Sequence, residues 1–263
     1  MQKVLRKVKS ILLPKIIEVK AVNPGKPKLP NADDDLINKA VSWWENNEYE
    51  NVQRYKLIQW FGKTIIKIPF KETVEGNYFK PAHDLVEIIQ NMQEDNILST
   101  LNESSKILEP GCNVGRNLYY LSKKYKCEIV GIDISQKAID IAKNKIWKNY
   151  PKCLFYKDNV LTTQFFDQFN DNHFDLVYTR WHLIHIPLSD VKKKYIESLK
   201  RISKTLILFE PVRDDRSKTE LYHDGQYTLS WDNWCTEYNL KEYQCKKVIK
   251  WKDNTKVFYN NTI

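Results

Sequence analysis

Glycine is scarce in this chain, seven residues in 263, where ordinary usage would give roughly 18. Nowhere do those seven form the Gly-x-Gly-x-x-Gly fingerprint of a nicotinamide-dependent oxidoreductase, which argues against that class. Long apolar runs are missing too. None approaches the roughly 20 residues that span a bilayer, and the N-terminus has neither the apolar segment nor the small-residue cleavage site of a signal peptide. Cytoplasmic residence is the expectation. The five cysteines, Cys112, Cys127, Cys153, Cys235 and Cys245, are scattered without a CxxC pair. Neither a disulfide framework nor a metal cluster is therefore encoded, and free thiols are expected.

The body of the chain has little net charge. Residues 1–30 hold eight basic residues against one acid, so they carry +7 of the overall +9 and leave only +2 for everything that follows. A basic patch on the main domain, the usual footprint of nucleic-acid binding, is thus not predicted. In the basic leader Val4, Leu5, Val8, Ile11, Leu12 and Ile16 fall on one helical stripe, broken at Pro14. Such a helix would dock on its own surface, on a partner subunit in a homodimer, or as a peripheral contact on anionic lipid. Pro24, Pro27 and Pro30 make a linker.

What is present in quantity is apolar and aromatic material, 42% and 13% of the chain, enough for a sizeable core. Residues 31–104 read as an N-terminal helical cap, rich in Trp43, Trp44, Tyr49, Tyr55, Trp60 and Phe61. The cap contains a β-like run at 64–68 and a helix near 83–98. From residue 105 to 263 short apolar runs at 106–109, 128–132, 153–156, 174–179 and 205–210 alternate with helical periodicity, the βαβ signature of a parallel sheet. A polar loop (213–218) and a Trp-rich helix near 230–239 follow. Two final runs, 244–251 and 255–260, are joined by Lys252-Asp253-Asn254 and read as an antiparallel hairpin. The expected fold is α/β: a Rossmann-like, doubly wound, mainly parallel seven-stranded sheet with that C-terminal hairpin and the N-terminal helical cap.

Three of the seven glycines, Gly111, Gly115 and Gly131, crowd into one short window. In Glu109-Pro110-Gly111-Cys112-Asn113-Val114-Gly115-Arg116-Asn117 a strand ends in an acid, turns, and opens a helix whose backbone amides face the strand ends. Gly111 lets the chain double back, and Gly115 is expected to admit a bound molecule where a Cβ would block it. Asp133 closes the second strand at the distance from Gly111 where a nucleotide site carries its acid, and it can accept hydrogen bonds from two ribose hydroxyls. Asp158 closes the third strand at the same edge, placed for an adenine amino group. Together these acids outline one nucleoside.

This series resembles the class I S-adenosylmethionine-dependent methyltransferases over roughly residues 76–263. The resemblance implies S-adenosyl-L-methionine as cofactor. Glu109 and the loop through Gly111, Asn113 and Gly115 would surround its methionine part, Asp133 with Ile134 the ribose, Asp158 and the Asn159 backbone the adenine, and Thr179 the end of the fourth strand. Asn113 stands where the family has its middle glycine, and asparagine tolerates the left-handed backbone needed there. Phe174 to Pro187 resembles the fourth strand and its loop, with His185 at a position where many small-molecule members carry a histidine. His185 and His182 are therefore the candidate bases, and the structural alternative is that they anchor the loop. Arg180 and Trp181 are candidate contacts to cofactor or acceptor, and Tyr78 could touch the methionine end.

Methyl transfer needs an acceptor held in line with the methyl group and a base where the acceptor is protonated. The predicted activity is transfer to an O or N atom of a small molecule. An RNA-modifying methyltransferase is the first rival, but Thr179-Arg180-Trp181-His182 matches neither the Asn/Asp-Pro-Pro-aromatic tetrapeptide of base-amine enzymes nor the Pro-Cys of cytosine-5 enzymes. A non-catalytic cofactor-binding scaffold is the second. Intact Glu109, Asp133 and Asp158 predict retained cofactor binding in either case.

Overall fold

The computed structural model describes residues 15–20, 53–60, 63–71, 83–147, 150, 152–186, 189–212, 220–223, 226–229, 235–244 and 255–261. The chain divides into two compact units, Met1–Pro27 with Glu48–Lys80, and Lys28–Asn47 with Pro81–Ile263.

The first unit contains a three-stranded antiparallel sheet of β1 (Lys15–Lys20), β2 (Gln53–Trp60) and β3 (Lys63–Lys71) in that order. This corrects one expectation. Ile16 sits in a strand paired with Ile58 rather than on a helical stripe; Val4 to Leu12 lie outside the described residues. Within the cap the β-like run at 64–68 pairs along β2 across a short connection, while residues 31–52 and 72–82 lie outside the described residues. Two β-rich runs separated only by Phe61 and Gly62 are a hairpin signal that the aromatic content of the region obscures.

The second unit begins with α1 (His83–Glu94) and then alternates: β4 (Lys106–Pro110), α2 (Arg116–Tyr125), β5 (Glu128–Asp133), α3 (Gln136–Ile141), β6 (Cys153–Lys157), α4 (Gln164–Asp167), β7 (Phe174–Arg180), α5 (Asp190–Ile202) and β8 (Ser203–Pro211). Next come the antiparallel pair β9 (Glu220–His223) and β10 (Gln226–Leu229), then β11 (Lys241–Tyr243) and β12 (Thr255–Asn261). The seven-stranded sheet runs β11-β12-β8-β7-β4-β5-β6. It is parallel from β8 to β6, with β12 antiparallel to both β8 and β11. The doubly wound sheet and its antiparallel C-terminal strands are as expected. The hairpin's first strand, however, is described at 241–243 rather than from 244, and residues 230–234 of the expected Trp-rich helix lie outside the described residues. The β9–β10 pair was not foreseen.

Each strand sends alternate residues to opposite faces. Ile107, Leu176, Tyr178, Ile207 and Phe209 join one core with Leu85, Ile88, Ile89 and Met92 of α1 and with Leu118 and Leu121 of α2. Their neighbours Leu108, Val177, Leu206 and Leu208 join the other, with Tyr195, Ile196, Leu199 and Ile202 of α5. A sheet covered on both faces needs the continuous apolar strands that the sequence supplies, each such side chain contributing roughly 1.5–3 kcal/mol. Helix α5 starts cleanly because the Ser189 hydroxyl accepts from the Lys192 amide, and its last turn carries Lys200 and Arg201, favourable at the negative end of the helix dipole. Parallel winding reverses direction between β4 and β7. The crevice outside the carboxyl ends of those strands is where ligands bind in such sheets.

Candidate active site

At that edge the loop after β4 makes three left-handed excursions, Gly111 at φ 70°, Asn113 at 53° and Gly115 at 76°. Asn113 therefore does adopt the conformation its side chain tolerates, and its own Oδ1 accepts from the Val114 amide at 2.8 Å. The loop is tied to the neighbouring strand twice: Cys112 N–H donates to the Ile132 carbonyl at 3.0 Å, and Asn113 N–H to Asp133 Oδ2 at 2.8 Å.

Asp133 holds the Ser135 amide with its other oxygen, Oδ1, at 2.9 Å. Burial raises its carboxyl above the usual range, opposed by backbone N–H donors from Ser135, Asn113 and Ile134. Each carboxylate oxygen can accept twice, so the three backbone donors leave room for one further donor such as a ribose hydroxyl. Ile134 follows, half-buried. Asp158, also half-buried, joins the same edge through its amide, which donates to the Asp133 carbonyl at 3.1 Å. The side chain of Asn159 is committed locally, accepting from the Leu161 amide to cap the 3₁₀ turn Val160–Thr162.

Glu109 is 1% exposed. Its Oε1 accepts from Asn117 Nδ2 at 2.7 Å and its Oε2 from the Tyr178 hydroxyl at 2.9 Å. Burial lifts its carboxyl to about 7, with those two donors pulling the other way. Glu109 thus braces the start of α2 against β7 beneath the loop.

Three sequence expectations need correcting or completing. An added Cβ at Gly115 would meet Trp147 Nε1 at 2.7 Å and Phe155 Cε1 at 2.8 Å. Glycine is required there by an aromatic cluster behind the loop, a reason the sequence alone did not supply. Thr179 is 0% exposed, and its hydroxyl donates to Glu210 Oε1 at 2.9 Å, so its side chain is not available to a cofactor. Burial, with His185 and Lys192 nearby, depresses His182 to about 3. A ring held neutral so firmly is a poor base, and its Nδ1 stands 2.2 Å from where a Gly111 Cβ would be. His182 is a wedge under the loop. His185 ends the 3₁₀ turn Leu183–His185 and, like His182, is partly buried.

Arg180 makes a two-point ion pair with Asp84 of α1, Nη2 to Oδ2 at 2.6 Å and Nη1 to Oδ1 at 3.3 Å. Arg116, half-buried in the first turn of α2, has its pKa lowered by burial first and by Arg180 second. Two guanidinium groups thus stand beside Glu109 at one strand edge. The pairing of Asp84 with Arg180 joins segments far apart in the chain and left no local signal in the sequence. Trp181 holds a left-handed backbone, φ 54°, with 38% of its surface exposed. Tyr238, from the region expected as a Trp-rich helix, is core at 1% exposure, while Tyr78 lies outside the described residues. Among the described residues no His, Cys, Asp or Glu cluster could hold a metal ion, and no helix is long and apolar enough to cross a membrane.

Residues 107–205 match the methyltransferase-domain family. This part of the chain is a class I, S-adenosylmethionine-dependent methyltransferase domain. The chain is 28% identical over 171 residues to the phosphoethanolamine N-methyltransferase of Plasmodium falciparum, covering 64% of this chain and 55% of the relative. It is 31% identical over 109 residues to phosphoethanolamine N-methyltransferase 1 of Zea mays, covering 41% and 21%. It therefore spans about half the length of the first relative and less of the second. Among solved structures, geranyl diphosphate C-methyltransferase from Streptomyces coelicolor superposes with a TM-score of 0.51 at 10% identity, over 69% of this chain and 80% of that one. That likeness concerns the fold of the methyltransferase domain.

Proposed function

We propose that the chain transfers a methyl group from S-adenosylmethionine to the amine nitrogen of a small phosphorylated acceptor such as phosphoethanolamine. The observation that carries this reading is the edge formed by Asp133, Asp158 and the left-handed loop 111–115. Its remaining acceptor capacity suits a nucleoside, and it lies beside the turn that bears His185. The named activity of the Plasmodium falciparum and Zea mays relatives supports nitrogen as acceptor atom and phosphoethanolamine as acceptor. Arg116, a cation at the same edge as the Arg180–Asp84 pair, suits a ligand with an anionic group.

The cofactor, when bound, supplies an electrophilic methyl on a sulfonium sulfur. Asp133 would accept from the ribose through its remaining lone pair, Ile134 would cover an apolar face, and Asp158 would take the adenine amino group. Glu109 fixes the loop from below through Asn117 and Tyr178. An ammonium cannot attack, so the acceptor nitrogen must first lose a proton. His185 Nε2 or Nδ1 would take that proton, freeing the nitrogen lone pair for the methyl group that the cofactor would supply. His182, held neutral near pKa 3, does not share this role.

Isothermal titration with S-adenosylmethionine and S-adenosylhomocysteine tests the cofactor. Asp133→Ala should weaken both by about 10- to 100-fold, as expected for a hydrogen bond to a charged group. No binding to the parent protein would remove the proposal. Methyl transfer to phosphoethanolamine then tests the acceptor, and His185→Ala should lower kcat by about 10²-fold or more.

A further inference from the structure

Beneath the turn that follows β7, three buried polar atoms from three elements have no hydrogen-bond partner among the described residues: Glu210 Oε2 on β8, the Tyr195 hydroxyl on α5 and His182 Nε2 in the turn itself. The rings of His182 and Tyr195 meet edge to face, 5.9 Å between centroids, and Tyr195 feels the Glu210 charge. An unsatisfied buried polar atom costs free energy. Three of them gathered at one node, two able to accept and one able to do both, offer the two to four partners that a buried water needs.

Glu210 is otherwise fully engaged. Its Oε1 accepts from Thr179 Oγ1 at 2.9 Å, from the Leu183 amide at 3.2 Å and from the His182 amide at 3.3 Å. It thereby grips the end of β7 and the start of the turn that carries His185. Buried Lys192, whose Nζ donates to the Ile186 carbonyl at 3.0 Å, closes the far side of the same turn and favours the Glu210 charge. Burial lifts the Glu210 carboxyl to about 7. Both of its forms suit one water: the carboxylate accepts from it and the acid donates to it.

We propose that an internal water bridges Glu210 Oε2, Tyr195 Oη and His182 Nε2, and that Glu210 is the positioning residue that sets the 181–185 turn, and so His185, against the acceptor. The water needs only the fold; the positioning role rests on the function proposed above. The node also reaches the cofactor loop, since His182 is packed against Gly111.

The test has two arms. A crystal structure of the protein with S-adenosylhomocysteine should show a water about 3 Å from all three atoms, and a dry node overturns that part. In the kinetic arm, Glu210→Ala should lower kcat toward phosphoethanolamine by about tenfold or more while affinity for S-adenosylhomocysteine stays within about threefold, the split expected of misplaced chemistry. Glu210→Gln, which keeps the Oε1 acceptor and can donate to the water, should restore most of that loss. An unchanged kcat in Glu210→Ala, or a glutamine variant as impaired as the alanine one, overturns the positioning role. If Glu210→Ala does not fold, Tyr195→Phe takes its place, with a smaller fall in kcat expected and no fall overturning the proposal. A parent protein that binds S-adenosylhomocysteine yet ignores phosphoethanolamine refutes the acceptor instead. The His185 imidazole resonance in that complex, shifted by Glu210→Ala and restored by Glu210→Gln, then decides the positioning role, and an unshifted resonance overturns it.

Discussion

Gly111→Ala tests the geometry of the loop without reference to any ligand. Two costs add at this position. The backbone is left-handed at φ 70°, which costs a residue with a Cβ about 1–2 kcal/mol. The new Cβ would also lie 2.2 Å from His182 Nδ1, 2.6 Å from Cγ and 2.8 Å from Cε1. Relief requires the ring to retreat, yet its amide is held by Glu210 and its face meets Tyr195. Overpacking of this kind costs roughly 1–3 kcal/mol, so the total is about 2–5 kcal/mol. For a unit of this size that lowers Tm by about 5–15 °C, readable by circular dichroism or urea titration. The double variant with His182→Ala separates the two costs. Removing the ring abolishes the clash but leaves the backbone strain, so the pair should couple favourably by about 1–3 kcal/mol. A Gly111→Ala protein within about 0.5 kcal/mol of the parent, or strict additivity with His182→Ala, would refute the account.

The buried acids make stability depend on pH in a direction opposite to the usual carboxylate. Glu109 titrates near 7 when folded against 4.5 for its ordinary value, so its contribution is complete below pH 4.5 and is lost as pH rises through 7. Relative to Glu109→Gln, the parent should lose up to about 3 kcal/mol between about pH 5 and pH 8 in urea unfolding, and a flat difference would contradict the burial. His182, depressed to about 3 from an ordinary 6.5, acts in the other sense: its contribution is present above pH 6.5 and falls away as pH drops towards 3, a slope that His182→Asn should remove. Trp181→Gly relieves the left-handed strain of an aromatic residue. It should leave Tm within about 3 °C of the parent while raising KM for phosphoethanolamine; an unchanged KM would show that the exposed indole does not meet the acceptor.

Local sequence determined a good deal of this protein. The apolar runs from 106 to 210 became the parallel strands because a strand covered on both faces has no polar side to show. The acids at 109, 133 and 158 had to share one edge, since parallel strands all end on the same side of the sheet. Asn113 was readable as left-handed from its side chain alone. In residues 53–71 the β-like run at 64–68 was legible, whereas its pairing with 53–60 in a hairpin was not read from a region of mostly helical pattern.

Tertiary structure decided the roles. Gly115 is glycine because Trp147 and Phe155 arrive from beyond the next βα unit, and Thr179 is turned from the ligand side because Glu210 of the neighbouring strand accepts its hydroxyl. His182 and His185 are alike in sequence and sit within one turn of each other. Both are partly buried, but the His182 ring is wedged against Gly111 under the cofactor loop and is held neutral there, while His185 ends the turn. Strand identity and strand-end position follow from spacing along the chain, whereas protonation and hydrogen-bond commitment depend on which distant groups exclude water from an atom.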